Sequence, residues 1–115
     1  MLRGEGILPM SDNVHSIIKE LRRRLEALYG PRLVRMVLYG SQARGDAELG
    51  SDIDILVVLQ GPVSPGEEIA RTSDIIASLS LTHGVVLSRA FVSSDRFERE
   101  QSPLLMNIRR EGVTV

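Results

Sequence analysis

Two aspartates separated by one residue, Asp52 and Asp54, stand at the head of an aliphatic run, Ile55-Leu56-Val57-Val58-Leu59. An unbroken run of this kind marks a strand covered on both faces. Side chains two apart on a strand project to the same side, so the two carboxylates are expected next to each other. Paired anionic oxygens of this hard type suit Mg²⁺, which binds through one or two carboxylates, substrate phosphates and retained water. Upstream, Tyr39-Gly40-Ser41 closes an apolar segment and leads into Gln42-Ala43-Arg44-Gly45. A strand that ends in Gly-Ser and turns into a short helix offers backbone N–H groups, a glycine that lets a phosphate approach, and a serine hydroxyl. Ten positions after Ser41 comes Ser51, directly before the aspartate pair. A phosphate cradle and a divalent-cation claw so close in sequence imply a nucleoside triphosphate. Either half alone is a weak signal, because Gly-Ser turns are common and a lone Asp-x-Asp usually marks a solvated turn.

The elements that must position these residues follow from periodicity. Val14, Ile17, Ile18, Leu21, Leu25 and Leu28 recur at spacings of three and four and predict an amphipathic helix over Ser11–Tyr29, ended by Gly30-Pro31. Strands are expected at Leu33–Tyr39 and Ile53–Leu59, the second closed by Gly61-Pro62. A second helix is expected over Gly66–Thr82, with Ile69, Ile75, Ile76, Leu79 and Leu81 as its apolar residues and Gly84 as its stop. Val85–Val92 reads as a third strand, Ser93-Ser94-Asp95 as the cap of a short helical stretch, and Leu104–Glu111 as a last helix closed by Gly112. The order is helix, strand, strand, helix, strand, helix, an α/β (α+β) arrangement.

The chain has 115 residues, room for one domain. Residues 1–10 read as a flexible leader, with Met10 a second candidate start, and residues 11–115 as a single domain. A net charge of -1 gives none of the basic excess that steers proteins onto nucleic acid or anionic membrane. No stretch is long and apolar enough to span a membrane. Cysteine is absent, which removes disulfides and thiolate metal sites and agrees with a cytoplasmic location. Arg22-Arg23-Arg24 fan around the helix axis and read as a solvated face.

With these motifs in hand, Gly40-Ser41-Gln42-Ala43-Arg44-Gly45 followed by Ser51-Asp52-Ile53-Asp54-Ile55 resembles the signature of the DNA polymerase beta-like nucleotidyltransferase superfamily, in particular its minimal, single-domain branch. The likeness extends over nearly all residues from 12 to 115, including Ser102-Pro103-Leu104 and Asn107-Ile108-Arg109-Arg110-Glu111-Gly112. It implies a nucleotidyltransferase fold with a small mixed β-sheet, helices packed against it, and transfer of a nucleoside monophosphate from ATP or another NTP. By that resemblance Gly40 and Ser41 hold the triphosphate, with Arg44 and Ser51 beside it, and Asp52 and Asp54 are the catalytic metal ligands for Mg²⁺. It further implies a partner, a small helical toxin-like protein in a toxin–antitoxin pair; a homo-oligomer is the other assembly it leaves open.

The chain departs from the superfamily pattern at one point. A third carboxylate is expected on a later strand, and the matching position in Val85-Val86-Leu87-Ser88-Arg89 holds Ser88, which neither binds a second cation well nor takes a proton at neutral pH. Two functions follow as alternatives: an active transferase acting on a partner protein or small acceptor, or a nucleotide- or partner-binding module impaired in transfer. Other polar residues have ordinary readings. Arg44 could equally meet phosphate or hold Asp52 or Asp54 in place. Asp46 and Glu48 suit a solvated turn, Asp74 a helix surface, Asp95 a cap, and His15 and His83 the surface. Arg109 and Arg110 suit the negative end of a helix dipole or an acceptor contact. Gly40→Val is expected to lose nucleotide while the protein stays folded.

Overall fold

The computed structural model describes residues 12–45 and 52–115. The expected leader, residues 1–10, lies outside them. The first helix, α1 (Asp12–Tyr29), buries Val14, Ile17, Ile18, Leu21 and Leu25, the stripe its periodicity predicts. The last turn differs: Leu28 is 40% exposed and Tyr29 takes the inward position. A 3₁₀ turn, Gly30–Arg32, begins at a glycine with φ 54° and reverses the chain into β1 (Leu33–Tyr39). After the single-turn α2 (Ser41–Arg44) come β2 (Ile53–Leu59), α3 (Pro65–His83) and β3 (Leu87–Ser93). Then follow α4 (Ser94–Arg99), α5 (Pro103–Glu111) and a two-residue strand β4 (Val113–Thr114).

The sheet order is β3-β2-β1-β4. β1 pairs antiparallel with both β2 and β4, whereas β2 and β3 are parallel, joined through α3 as a parallel pair requires. The sheet is mixed, as expected. Its two faces carry separate apolar clusters because strand side chains alternate. Met36, Leu38, Ile53, Ile55, Val57 and Leu59 meet α1 and α3 on one face. Val37, Leu56, Val58 and Val92 meet Phe97 of α4 and Leu105 and Ile108 of α5 on the other. Both faces of β2 are therefore covered, which is why its sequence is continuously aliphatic.

Three differences from expectation have physical causes. β3 starts two residues later than predicted, because its strand neighbour, β2, begins at Ile53: the parallel ladder opens at the Ile53–Leu87 pair, with the Ile53 N–H donating to the Val86 carbonyl at 3.0 Å. In α3 the buried face includes Glu68 and Thr72, while Ile69 and Leu81 are exposed. Polar groups survive there because each is satisfied: Tyr29 Oη and Arg71 Nη1 both donate to Glu68 Oε1 at 2.7 Å, and Arg89 Nε donates to Thr72 Oγ1 at 3.1 Å. Burial, then the bond to Glu68, pushes the Tyr29 phenol up to about 12. Finally, Gly112 does not end α5 by adopting a left-handed conformation; its φ is -69°. A Cβ there would lie 2.5 Å from the Ile108 carbonyl and 2.6 Å from Val37 Cγ1, so only glycine lets the helix end fold back onto β1.

Candidate functional site

The carboxylate pair lies where three strands meet at one end of the sheet. In the β1–β2 register Tyr39 stands opposite Asp54, and in the β2–β3 register Ser88 stands opposite Asp54 from the other side. Tyr39, Asp54 and Ser88 thus form a row across the face that carries Leu56 and Val58. Deeper along that face the side chains are sealed by α4 and α5; at this row all three residues are only half-buried. Asp52 is exposed and immediately precedes β2, whose bounds are those expected, so of the pair only Asp54 lies within the strand itself.

Gly40 links β1 to α2 with φ 74° and ψ -155°, a conformation that residues with a side chain rarely adopt. Its Cα packs against Asp54, and an added Cβ would sit 2.6 Å from Asp54 Oδ2. The expected Gly40→Val experiment does not isolate phosphate approach, because that side chain would strain the backbone and displace the carboxylate. The Gly40 carbonyl accepts the N–H groups of Ala43 and Arg44 at 3.1 and 3.2 Å, and Gly45, at φ 77°, donates to the Ser41 carbonyl at 3.1 Å. Ser41 therefore heads a single closed turn at the same end of the sheet as Asp54. Arg44, at the end of that turn, reaches Glu111 at the end of α5, with Nη1 3.9 Å from Oε2. Glu111 entered the sequence analysis only as part of the C-terminal stretch that carries the family likeness, with no role of its own, since it meets Arg44 only through the tertiary fold.

Ser51, Asp46 and Glu48 lie outside the described residues. Asp74 is on the surface of α3, against the opposite face of the sheet, and Asp95 pairs with Arg99 at 3.1 Å beyond the far end of β3. Neither joins Asp54. Among the described residues no group of three or more His, Cys, Asp or Glu side chains gathers in one place. Arg109 is structural: its Nη1 and Nη2 donate to the carbonyls of Phe97 and Glu100, each at 2.6 Å, fastening the end of α4 to α5. Arg110 donates to Asn107 on its own helix.

Burial, then the negative charge of Asp52, raises the Asp54 carboxyl above the usual carboxylate range. Burial, then Asp54, raises the Tyr39 phenol as well. The consequence for stability has a definite sign. Asp54 holds its proton more tightly in the folded chain than in the unfolded one. Its contribution is therefore full below the ordinary carboxylate pKa of about 4 and is lost as pH rises through the raised folded value. As pH rises the cation-free protein gives up this contribution of Asp54. Asp54→Asn is expected to raise the melting temperature of the cation-free protein at pH 7 and to flatten its dependence on pH above 4. A thermal melt at several pH values checks this, and an equal or lower melting temperature at pH 7 would contradict it.

Comparison with known proteins agrees with this architecture. A protein of Methanocaldococcus jannaschii named as a candidate protein adenylyltransferase is 35% identical over 88 residues, spanning 76% of this chain and 82% of its own. The structure of a candidate minimal nucleotidyltransferase superposes with a TM-score of 0.55 at 25% identity, covering 93% of this chain and 99% of that one. A toxin–antitoxin structure with AMP-PNP gives a TM-score of 0.57 at 23% identity, over 90% of this chain and 72% of that one, a likeness of fold. The nucleotidyltransferase domain family itself matches residues 18–102, a span that runs from α1 through Gly40, Asp52, Asp54 and Ser88, and the chain belongs to that family.

Proposed function

We propose that the protein transfers a nucleoside monophosphate from ATP to a hydroxyl of a partner protein, with Mg²⁺ held by Asp52 and Asp54. The observation that carries this reading is the Asp54 carboxylate, half-buried against the Cα of Gly40 and repelled by Asp52. Two neighbouring carboxylates, one of them half-buried, are a donor set of hard oxygens that fits a divalent cation. When bound, the cation supplies charge neutralisation for the phosphates and for the leaving oxygen. The chain's own residues do the rest. Gly40 brings backbone close to the phosphates, Ser41 and Ser51 offer hydroxyl donors, and Arg44 offers a fixed positive charge. The acceptor oxygen bonds to the α-phosphorus, the bond from that phosphorus to the bridging oxygen breaks, and pyrophosphate departs. The hydroxyl proton passes to solvent, because Ser88, beside Asp54, is no base.

The protein-adenylyltransferase name of the archaeal relative and the toxin–antitoxin neighbour with AMP-PNP support ATP and a partner protein. A second reading, a nucleotide-binding module with little transfer, is favoured by one specific observation, serine opposite Asp54. α-Labelled ATP, with Mg²⁺ or EDTA, and the product of the adjacent reading frame as acceptor, separate the two. Mg²⁺-dependent binding with label on the acceptor is expected. Mg²⁺-dependent binding without label selects the second reading, and no binding in either condition overturns both.

A further inference from the structure

We propose that Glu111 is a positioning residue for the nucleotide site, holding the Arg44 guanidinium where the triphosphate is received. The inference rests on the proposed nucleotide site and extends it to the C-terminal helix and strand.

The argument starts from how differently the two partners are held. Arg44 is the last residue of a single helical turn, 47% exposed at its side chain, and arginine carries many rotamers that must be frozen before it can meet a phosphate. Glu111 sits on a much firmer base. It ends α5, whose Leu105 and Ile108 are buried in the cluster under the sheet. The next residue, Gly112, donates its N–H to the Ile108 carbonyl at 2.7 Å and is packed so closely on Val37 that no Cβ fits. Val113 then pairs with Leu38 of β1, two residues before Gly40. Helix, glycine and strand together place the Glu111 carboxylate next to the turn that follows Gly40.

The ion pair contributes little to folding, since both side chains are nearly half exposed and such pairs are weak. Its effect is on the direction of Arg44. A guanidinium has five donors, so it can keep Glu111 on one edge and meet a phosphate oxygen with another. An arginine aimed in advance loses less freedom when the nucleotide arrives.

The test measures binding of Mg²⁺·ATP by calorimetry to wild type, Glu111→Gln, Glu111→Asp, Arg44→Ala and the double variant Arg44→Ala/Glu111→Gln. Glu111→Gln is expected to weaken binding by about 2- to 10-fold, the range for the ordering of one rotamer-rich side chain. Glu111→Asp, which keeps the charge on a shorter arm, should lose less. In the Arg44→Ala background Glu111→Gln should have no further effect, an outcome that a merely structural role for Glu111 would not produce. Unchanged or tighter binding by Glu111→Gln overturns the proposal while leaving the nucleotide site intact, as does a double variant whose loss is the product of the two single losses. No Mg²⁺·ATP binding by wild type removes the nucleotide reading and this inference with it.

Discussion

Asp54→Asn is expected to cut Mg²⁺-supported label transfer by about 10³-fold or more, and Asp52→Asn by a comparable factor. Lewis-acid stabilisation by a bound cation is worth several kcal/mol in a transition state, and each 1.36 kcal/mol is about tenfold in rate. An amide keeps the shape of the side chain but gives up the charge that holds the cation. Asp54 stands against Gly40 and in line with Tyr39 and Ser88, so its replacement removes the charge at the centre of the row. Because the same substitution relieves the repulsion by Asp52 and the burial cost at Asp54, the inactive protein should melt higher than wild type at pH 7 without the cation. Loss of transfer together with retained or improved melting excludes unfolding as the cause. Initial rates at saturating Mg²⁺·ATP provide the measurement, and an Asp54→Asn rate within tenfold of wild type would place the metal elsewhere.

Ser88→Asp is expected to raise transfer by about 10²–10⁴-fold, the usual worth of a positioned general base. The strand register gives this experiment its footing: Ser88 is the direct partner of Asp54 on β3, so a carboxylate there faces the pair from the neighbouring strand. The position is half-buried, at the open end of the face. A third negative charge beside an Asp54 already raised by burial and by Asp52 destabilises the cation-free protein at neutral pH, and Mg²⁺ should restore it. Melting with and without Mg²⁺, run beside the label-transfer assay, reads both effects. A variant that melts higher with Mg²⁺ but transfers no faster than wild type would show that the missing acid does not limit the rate. Robust wild-type transfer would mean that two carboxylates suffice.

What could be read in the sequence was what the chain specifies locally. β1 and β2 begin and end as expected because each is an aliphatic run bounded by turn residues, and the pairing of Asp52 with Asp54 follows from their spacing. The buried stripe of α3 was misread because apolar periodicity selects Ile69 and Leu81, whereas the fold buries Glu68 and Thr72, whose partners Tyr29 and Arg89 lie on α1 and β3. β4 was missed for a similar reason: two residues carry no period, and the strand exists only because β1 presents Val37 and Leu38 to it. Gly40 was read as clearance for a phosphate, yet its positive φ and its contact with Asp54 became visible only once the two strands were side by side. Glu111 belongs to the same class, a residue whose meaning comes from a distant contact.

The shortness of β4 also matters during synthesis. β1, with the apolar sequence LVRMVLY, is an interior strand only because residues 113 and 114 lie along its outer side, helped by the Val115 N–H donating to the Met36 carbonyl at 3.0 Å. On the ribosome those residues emerge more than seventy positions after β1, and until they do β1 is an uncovered edge of the kind on which other chains can template. The exposed Val34 and half-buried Arg35 lie on the stretch that β4 does not reach, and Arg35 places a charge there of the sort that discourages edge-to-edge association. Residues 113–115 are thus a cover for the earliest strand of the growing sheet, and until they emerge the nascent chain is open to association along that edge.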